Sequence, residues 1–412
     1  MTANMDTPHA DTELISLARQ LIQIPSENPP GDTTAVASAV AKHLDHPHIE
    51  INRFEPQKGI VNLVAIVRGA EAGPRVVLNG HLDTFTAGDP AGWSADPFSG
   101  DLRDGRLYGR GAGDMKAGVA ILVTVVRALA QQQGKMKGEL VLTLVSDEET
   151  GGTWGTRWLL ANVPESRGDY LLNADAGHPR VVRYGEKGVM WLKLTSRGKA
   201  CHGAHVHLGV NAIELLTAAL NDLLTLRDLP TRLPAHVLEA MKEAREVSEQ
   251  EGGTGEFENL RDITVNVGSF HSGQVPNIVP AHAEATVDIR FPSGFSGEDM
   301  KRLIAERLSR HPAIQWETVP GSETEPALTS PDHRLVQCFL KHAREKVAPE
   351  AVANMRVGLT DARLFRHAGM PAVVYGPTAF NMGGVDEHVL IDQVKAVYQV
   401  QLAVAKELLS LA

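Results

Sequence analysis

Apolar positions along the chain fall into two rhythms, and the rhythm changes part-way. Near the start, Leu14, Leu17, Ala18, Leu21 and Ile22 keep a helical stripe, with Asp11 or Thr12 placed to cap it. A Pro/Gly loop at 24–32 separates this from a second amphipathic helix at 33–44. Short continuous apolar runs come next at 62–68, 75–79, 139–146 and 169–173, and again at 371–376. A helical stretch at 115–133 lies among them, and another at 391–411 closes the chain. Apolar runs alternating with helices predict a largely parallel sheet covered on both faces. From about residue 186 the pattern differs. Segments 190–195, 263–269 and 283–289 alternate apolar with polar, as half-exposed strands do, and enclose helical stretches at 209–226 and 234–251. A further helix is expected at 297–309.

The expected fold class is therefore α/β. A mostly parallel-sheet catalytic domain with helices on both faces occupies 1–187 and 296–412. An inserted α+β domain, an antiparallel sheet with two helices, occupies 188–295.

Composition narrows the function. The 412 residues carry 40 Lys+Arg against 50 Asp+Glu, a net charge of −10, and no basic run of the kind nucleic-acid binding needs. The two cysteines, Cys201 and Cys338, exclude a disulfide scaffold. The most apolar run, 119–126, is far shorter than the ~20 residues of a spanning helix. Asp6, Asp11 and Glu13 interrupt any signal-peptide core at the N-terminus. The expectation is a cytoplasmic protein that acts on a small molecule and engages neither membrane nor nucleic acid.

Polar residues collect where the apolar strands end, the place where open α/β sheets carry their sites. The run at 75–79 leads into His81-Leu82-Asp83. Positions two apart share a face, so His81 can bind a metal while Asp83 orients its ring. Another run ends in Asp147-Glu148-Glu149, where adjacent side chains diverge, one toward a metal and one toward water. A third ends in Asp175, and Asp114 sits before a helix in Gly109-Arg110-Gly111-Ala112-Gly113-Asp114. One imidazole and several carboxylates suit Zn²⁺, Co²⁺ or Mn²⁺. The glycine run also resembles a dinucleotide loop, but Asp114 would repel a pyrophosphate at that helix end. The His202, His205 and His207 cluster reads as a polar loop, and Cys201 as a packed residue.

The segment at 80–84 (GHLDT), the stretch at 92–118 (GWSADPFSGDLRDGRLYGRGAGDMKAG) and the run at 147–152 (DEETGG) resemble the dinuclear zinc amidohydrolases. That family contains acetylornithine deacetylase, succinyl-diaminopimelate desuccinylase and the glutamate carboxypeptidases. The similarity spans about 14–409, including GKACHG at 198–203 and GVNA at 209–212, which match a dimerising lid. The resemblance implies an amide-cleaving metal hydrolase that forms homodimers and takes a small carboxylate substrate. It assigns Asp114 as the bridging metal ligand, His81, Asp175 and Glu149 as further ligands, and Asp83 as support for His81. Glu148 becomes the general base and His202 the oxyanion-stabilising lid residue. Asn277, Arg290 and Thr360 become substrate contacts. The chain departs from the family in one place. The family's last ligand is a His four residues before a Glu, and Gly383 stands at that position, with His388 just after Glu387. His388 replaces the missing ligand, or the centre holds one divalent ion per chain instead of two. The single-ion alternative extends to a hydrolase of unusual specificity, such as a deaminase of a small amino-carboxylate.

Overall fold

A computed structural model describes residues 7–411. The acidic opening around Asp6 lies outside the described residues. The dominant element is a nine-stranded mixed sheet. Its centre is parallel: Lys137–Val145, Glu71–His81, Tyr170–Asn173 and Ala372–Val374 lie side by side in one direction. On one side Ile60–Arg68 and Glu50–Gln57 are added antiparallel, because the chain doubles back between Gln57 and Ile60. On the other side Val181–Glu186 pairs antiparallel with Ala327–Leu328 and parallel with Val352–Arg356.

Alternate residues of the central strands feed two different layers. Val76 and Leu78 join the larger core under helices Thr7–Ile22, Ala117–Ala130, Arg334–Lys346 and Ile391–Leu408. Val77 between them joins a second core, under Thr156–Asn162 and Ala362–His367. A strand buried on both faces has no polar side to show, which is why these segments read as continuous apolar runs. The first helix starts at Thr7, ahead of the expected cap. Asp11 sits inside it and pairs with Lys395 of the last helix at 3.7 Å.

A separate four-stranded antiparallel sheet runs Thr264–Ser272, His282–Phe291, Gly188–Arg197, Ile314–Thr318. Two helices cover it, as expected, but one of them is not the one the pattern suggested. Ala212–Leu224 and Gly297–Leu308 share its core. Ala235–Gly252 instead sends Val237 and Met241 into the core of the large sheet, beside Val352–Arg356. Its apolar stripe is helical in either place, and only contacts distant in sequence select the sheet it meets. Because Gly297–Leu308 and Ile314–Thr318 pack with the small sheet, we propose that the inserted unit extends from Gly188 to Thr318, beyond residue 295.

Candidate metal centre

Three of the parallel strands end together. Register pairs His81 with Val145 and Asn79 with Asn173, so the loops leaving these strands emerge at one edge of the sheet. His81 is the last residue of its strand, Glu148 and Glu149 lie in the turn after the second, and Asp175 is two residues past the third. Asp114 comes from the turn Ala112–Lys116 ahead of helix Ala117–Ala130. Its backbone (φ −126°, ψ 90°) breaks the helical course, and the Asp114–Met115 peptide bond is cis.

The ligand atoms of His81, Asp114 and Glu149 all lie within 4.8 Å of one another. His81 Nε2 is 2.9 Å from Asp114 Oδ1 and 3.9 Å from Asp175 Oδ2. On the other side of the ring, Nδ1 donates to the carbonyl oxygen of Asp83 at 2.9 Å. A carbonyl only accepts, so Nδ1 carries a proton and Nε2 is the nitrogen that faces the carboxylates.

Asp83 therefore orients His81 through its backbone, with its carboxylate farther off at 3.6 Å. That carboxylate accepts from the amides of Glu148 (3.3 Å) and Glu149 (3.2 Å) and from Asn28 Nδ2 (3.0 Å). It fixes the turn from which both glutamates project.

The electrostatics are those of crowded, buried acids. Burial, reinforced by the negative charge of Asp114, pushes Glu149 up to about 11. Burial pushes Asp175 up to about 6, with Arg356 opposing and Asp114 adding. Burial also drives Glu148 well above the ordinary carboxylate range, against the pull of His81. His81 rises well above its usual value although burial opposes it, because Asp114 and Asp83 favour the cation. Glu149 Oε1 is buried with no hydrogen-bond partner. Converging acids with one imidazole and an orphaned carboxylate oxygen form the donor set of a cation site. The residues fit a divalent metal with nitrogen and oxygen ligands.

The other residues singled out in the sequence lie elsewhere. His388 is not brought to this group. Its ring is stacked on Phe380 (centroids 5.0 Å, 9° between planes) and close to Tyr108 (4.7 Å), while Nδ1 bonds to the Asp386 carbonyl. Thr360 is fully buried and spends its hydroxyl and amide on Glu186. Arg290 pairs with Asp288 at 3.2 Å and donates to the Val357 carbonyl at 3.0 Å. His202 and Asn277 sit on an exposed ribbon formed by Cys201–His202 and Ile278–Val279, where Gly203 N donates to the Asn277 carbonyl. Neither His202 nor Asn277 bonds to the His81 group.

Two residues important to the centre were not picked out from the sequence. Glu387 accepts from the Gly113 amide (2.9 Å) and the Asp114 amide (3.3 Å), and Arg110 holds its other oxygen. Arg363 Nη1 lies 3.5 Å from Glu148 Oε1. Glu387 stands beside His388 and Arg363 three residues after Thr360, but their partners are far away along the chain.

A family model described as Peptidase family M20/M25/M40 matches residues 77–407. The chain is 27% identical over 412 residues to a succinyl-diaminopimelate desuccinylase of Thioalkalivibrio sulfidiphilus, covering 97% of this chain and 99% of the relative. It is 30% identical over 391 residues to one from Rhodospirillum centenum, covering 92% of each. An M20 family metallo-carboxypeptidase from Sulfolobus solfataricus shares the fold with a TM-score of 0.77 at 19% identity, covering 95% of this chain and 98% of that one.

Proposed function

The chain belongs to peptidase family M20/M25/M40, a metal-dependent hydrolase of amide C–N bonds, and from that premise we propose that it deacylates a small N-acyl amino acid or peptide-like carboxylate. The observation that carries this reading is the meeting of His81, Asp114 and Glu149 within 4.8 Å at the ends of parallel strands, with Glu148 alongside. In this reading His81, Asp114, Asp175 and Glu149 hold the ion. When bound, a divalent cation would polarise the scissile carbonyl and make water more acidic. Glu148 takes the proton from the attacking water and delivers it to the leaving nitrogen. Its raised affinity for a proton suits a group that must hold one between two steps. Arg363, 3.5 Å away, supports its charged form and fixes its position.

The proposed centre holds one ion per chain. Gly383 brings no side chain and takes a left-handed φ of 72°, which a histidine would adopt only with strain. Glu387 is held by Arg110, and His388 forms no group with Asp114 and Glu149 within 4.8 Å. The second ion expected from the family would have Asp114 and Glu149 but no third protein donor among the described residues.

His202 belongs to the reading only through a second copy of the chain. Beside it, Val206, Leu208 and Ile278 are exposed (65%, 55% and 49%), a patch that a partner subunit would cover. Among the described residues no helix is long and apolar enough to cross a membrane. A cytoplasmic homodimer is the proposed setting.

The test is amine release from a panel of N-acyl amino acids and dipeptides by zinc-, cobalt- or manganese-loaded protein. Hydrolysis of one subset supports the reading. Fully loaded protein that cleaves none of them, and releases ammonia from a simple amine instead, overturns it.

A further inference from the structure

The chain's two cysteines stand in different surroundings. Cys201 is partly exposed, and its thiol donates to the His205 carbonyl at 3.2 Å. Cys338 is buried on helix Arg334–Lys346, where the last helix, Ile391–Leu408, packs against it. His342 follows four residues later, one helical turn on, and shares its face. Glu407 reaches the same place from the last helix. Ligand atoms of Cys338, His342 and Glu407 all lie within 4.8 Å of one another. This group shares no residue with the His81 centre.

The imidazole is held as a ligand would be. Its Nε2 faces Glu407 Oε2 at 2.9 Å, while Nδ1 faces Glu345 Oε2 at 3.4 Å, an ion-pair contact short of a hydrogen bond. A carboxylate behind the ring is how proteins orient a metal-binding histidine. One sulfur, one nitrogen and one oxygen, with a fourth position left to water, suit a tetrahedral ion such as Zn²⁺ or Co²⁺, whereas Mg²⁺ and Ca²⁺ take oxygen ligands. Two features compete with an ion. Lys341 Nζ lies 2.8 Å from the same Glu407 oxygen, and burial, with the Glu407 charge adding, pushes the Cys338 thiol up to about 12. Coordination deprotonates a thiol outright, and Lys341, 54% exposed, is free to turn into water. The group therefore takes up an ion when free metal is supplied and does not hold one through purification.

We propose that Cys338, His342 and Glu407 form a second site for a thiol-seeking divalent cation, zinc or cobalt, which ties helix Arg334–Lys346 to helix Ile391–Leu408. The ion held there takes no part in amide cleavage. The site is independent of the deacylase reading, because it uses none of the residues on which that reading rests.

The experiment is a cobalt titration of the whole protein under nitrogen, followed by absorption. A thiolate bound to Co²⁺ gives an intense sulfur-to-metal charge-transfer band, which the nitrogen and oxygen ligands of the His81 centre cannot produce. Wild type should develop this band as cobalt is added beyond the first ion. The band should be absent from Cys338→Ser and unchanged in Cys201→Ser and His81→Ala. In His342→Ala and Glu407→Gln the cobalt concentration needed for it should rise about 10- to 100-fold or more, since loss of even an orienting group costs that much. These two variants alter partly exposed side chains and keep the test open if Cys338→Ser folds poorly. Amide hydrolysis with the first ion in place should be the same in His342→Ala as in wild type. No band in wild type at saturating cobalt overturns the proposal, as does a band that survives Cys338→Ser or disappears in Cys201→Ser. A band with equal cobalt dependence in wild type, His342→Ala and Glu407→Gln also overturns it, since Cys338 would then bind metal without its neighbours. The band in a protein that cleaves no amide would leave this inference standing and remove the deacylase reading.

Discussion

Arg110 and Glu387 meet through Nη1 and Oε2 at 2.5 Å, both at most 2% exposed, although 277 residues separate them. The same glutamate receives the amides of Gly113 and Asp114 through its other oxygen. Arg110 also donates to the carbonyls of Gly383 and Gly384 at 3.0 Å. The pair therefore fixes the turn that presents Asp114 and the loop that carries Gly383. Burial alone would push Glu387 toward its neutral form, and the guanidinium opposes that.

Glu387→Gln should leave Arg110 as a buried charge without a counter-ion and slacken the Asp114 turn. Removing one partner of such a pair costs about 3–5 kcal/mol. The expected outcome is a clearly lower melting temperature and metal affinity reduced about 10- to 100-fold, the usual effect of losing a group that orients ligands. Calorimetric unfolding and metal titration read both. An unchanged metal affinity would show that the turn holds itself.

Glu148→Gln should retain fold and metal and lose about 10²- to 10⁴-fold in kcat, the range expected for a positioned proton acceptor. Steady-state rates and metal content on the same preparation test it. Substantial remaining turnover would assign the base elsewhere.

Metal content of protein purified without chelator should be about one ion per chain, because a second ion finds no third protein donor among the described residues. His81→Ala should bring it close to zero. Two ions in the wild type would mean that another donor completes a second site.

Gly118 is the second residue of the helix behind Asp114, and a Cβ there would lie 2.2 Å from the Ala174 carbonyl oxygen. Gly118→Ala should therefore push apart the helix start and the strand end that carries Asp175. Overpacking of this kind costs about 1–3 kcal/mol, and metal affinity should fall with it. Denaturant melts and metal titration would show the coupled loss.

Lys187 is buried and donates to the carbonyls of Asn259 and Asp262 at 2.6 Å. Burial, with Arg290 adding repulsion, lowers it to about 7. In the unfolded chain it keeps its proton up to the ordinary lysine range, so between about pH 7 and 10 the unfolded state binds more protons. Stability should then rise with pH across that window. Lys187→Met should flatten this rise, as melting temperatures at pH 7 and pH 9 would show. Identical pH slopes in both proteins would place the Lys187 proton elsewhere.

Local pattern was enough to read the central strands, their two-sided burial and the strand ends that carry His81, Glu148, Glu149 and Asp175. Spacing of two or three residues fixes which face a side chain takes, and no distant contact is needed to see it. The pattern could not say which sheet Ala235–Gly252 covers, since an amphipathic stripe is satisfied by any apolar surface. Nor could it reveal how Asp83 divides its work, carbonyl to His81 and carboxylate to the Glu148–Glu149 turn. His388 stood one position from Glu387 in the chain, yet its ring lies against Phe380 and Tyr108 and it does not join the group of His81, Asp114 and Glu149. Arg110 is the clearest case. Its charge is ordinary in the sequence, and only the folded chain shows that its partner is Glu387, 277 residues away. Electrostatic pairing is settled by distances in space, which a linear pattern does not encode.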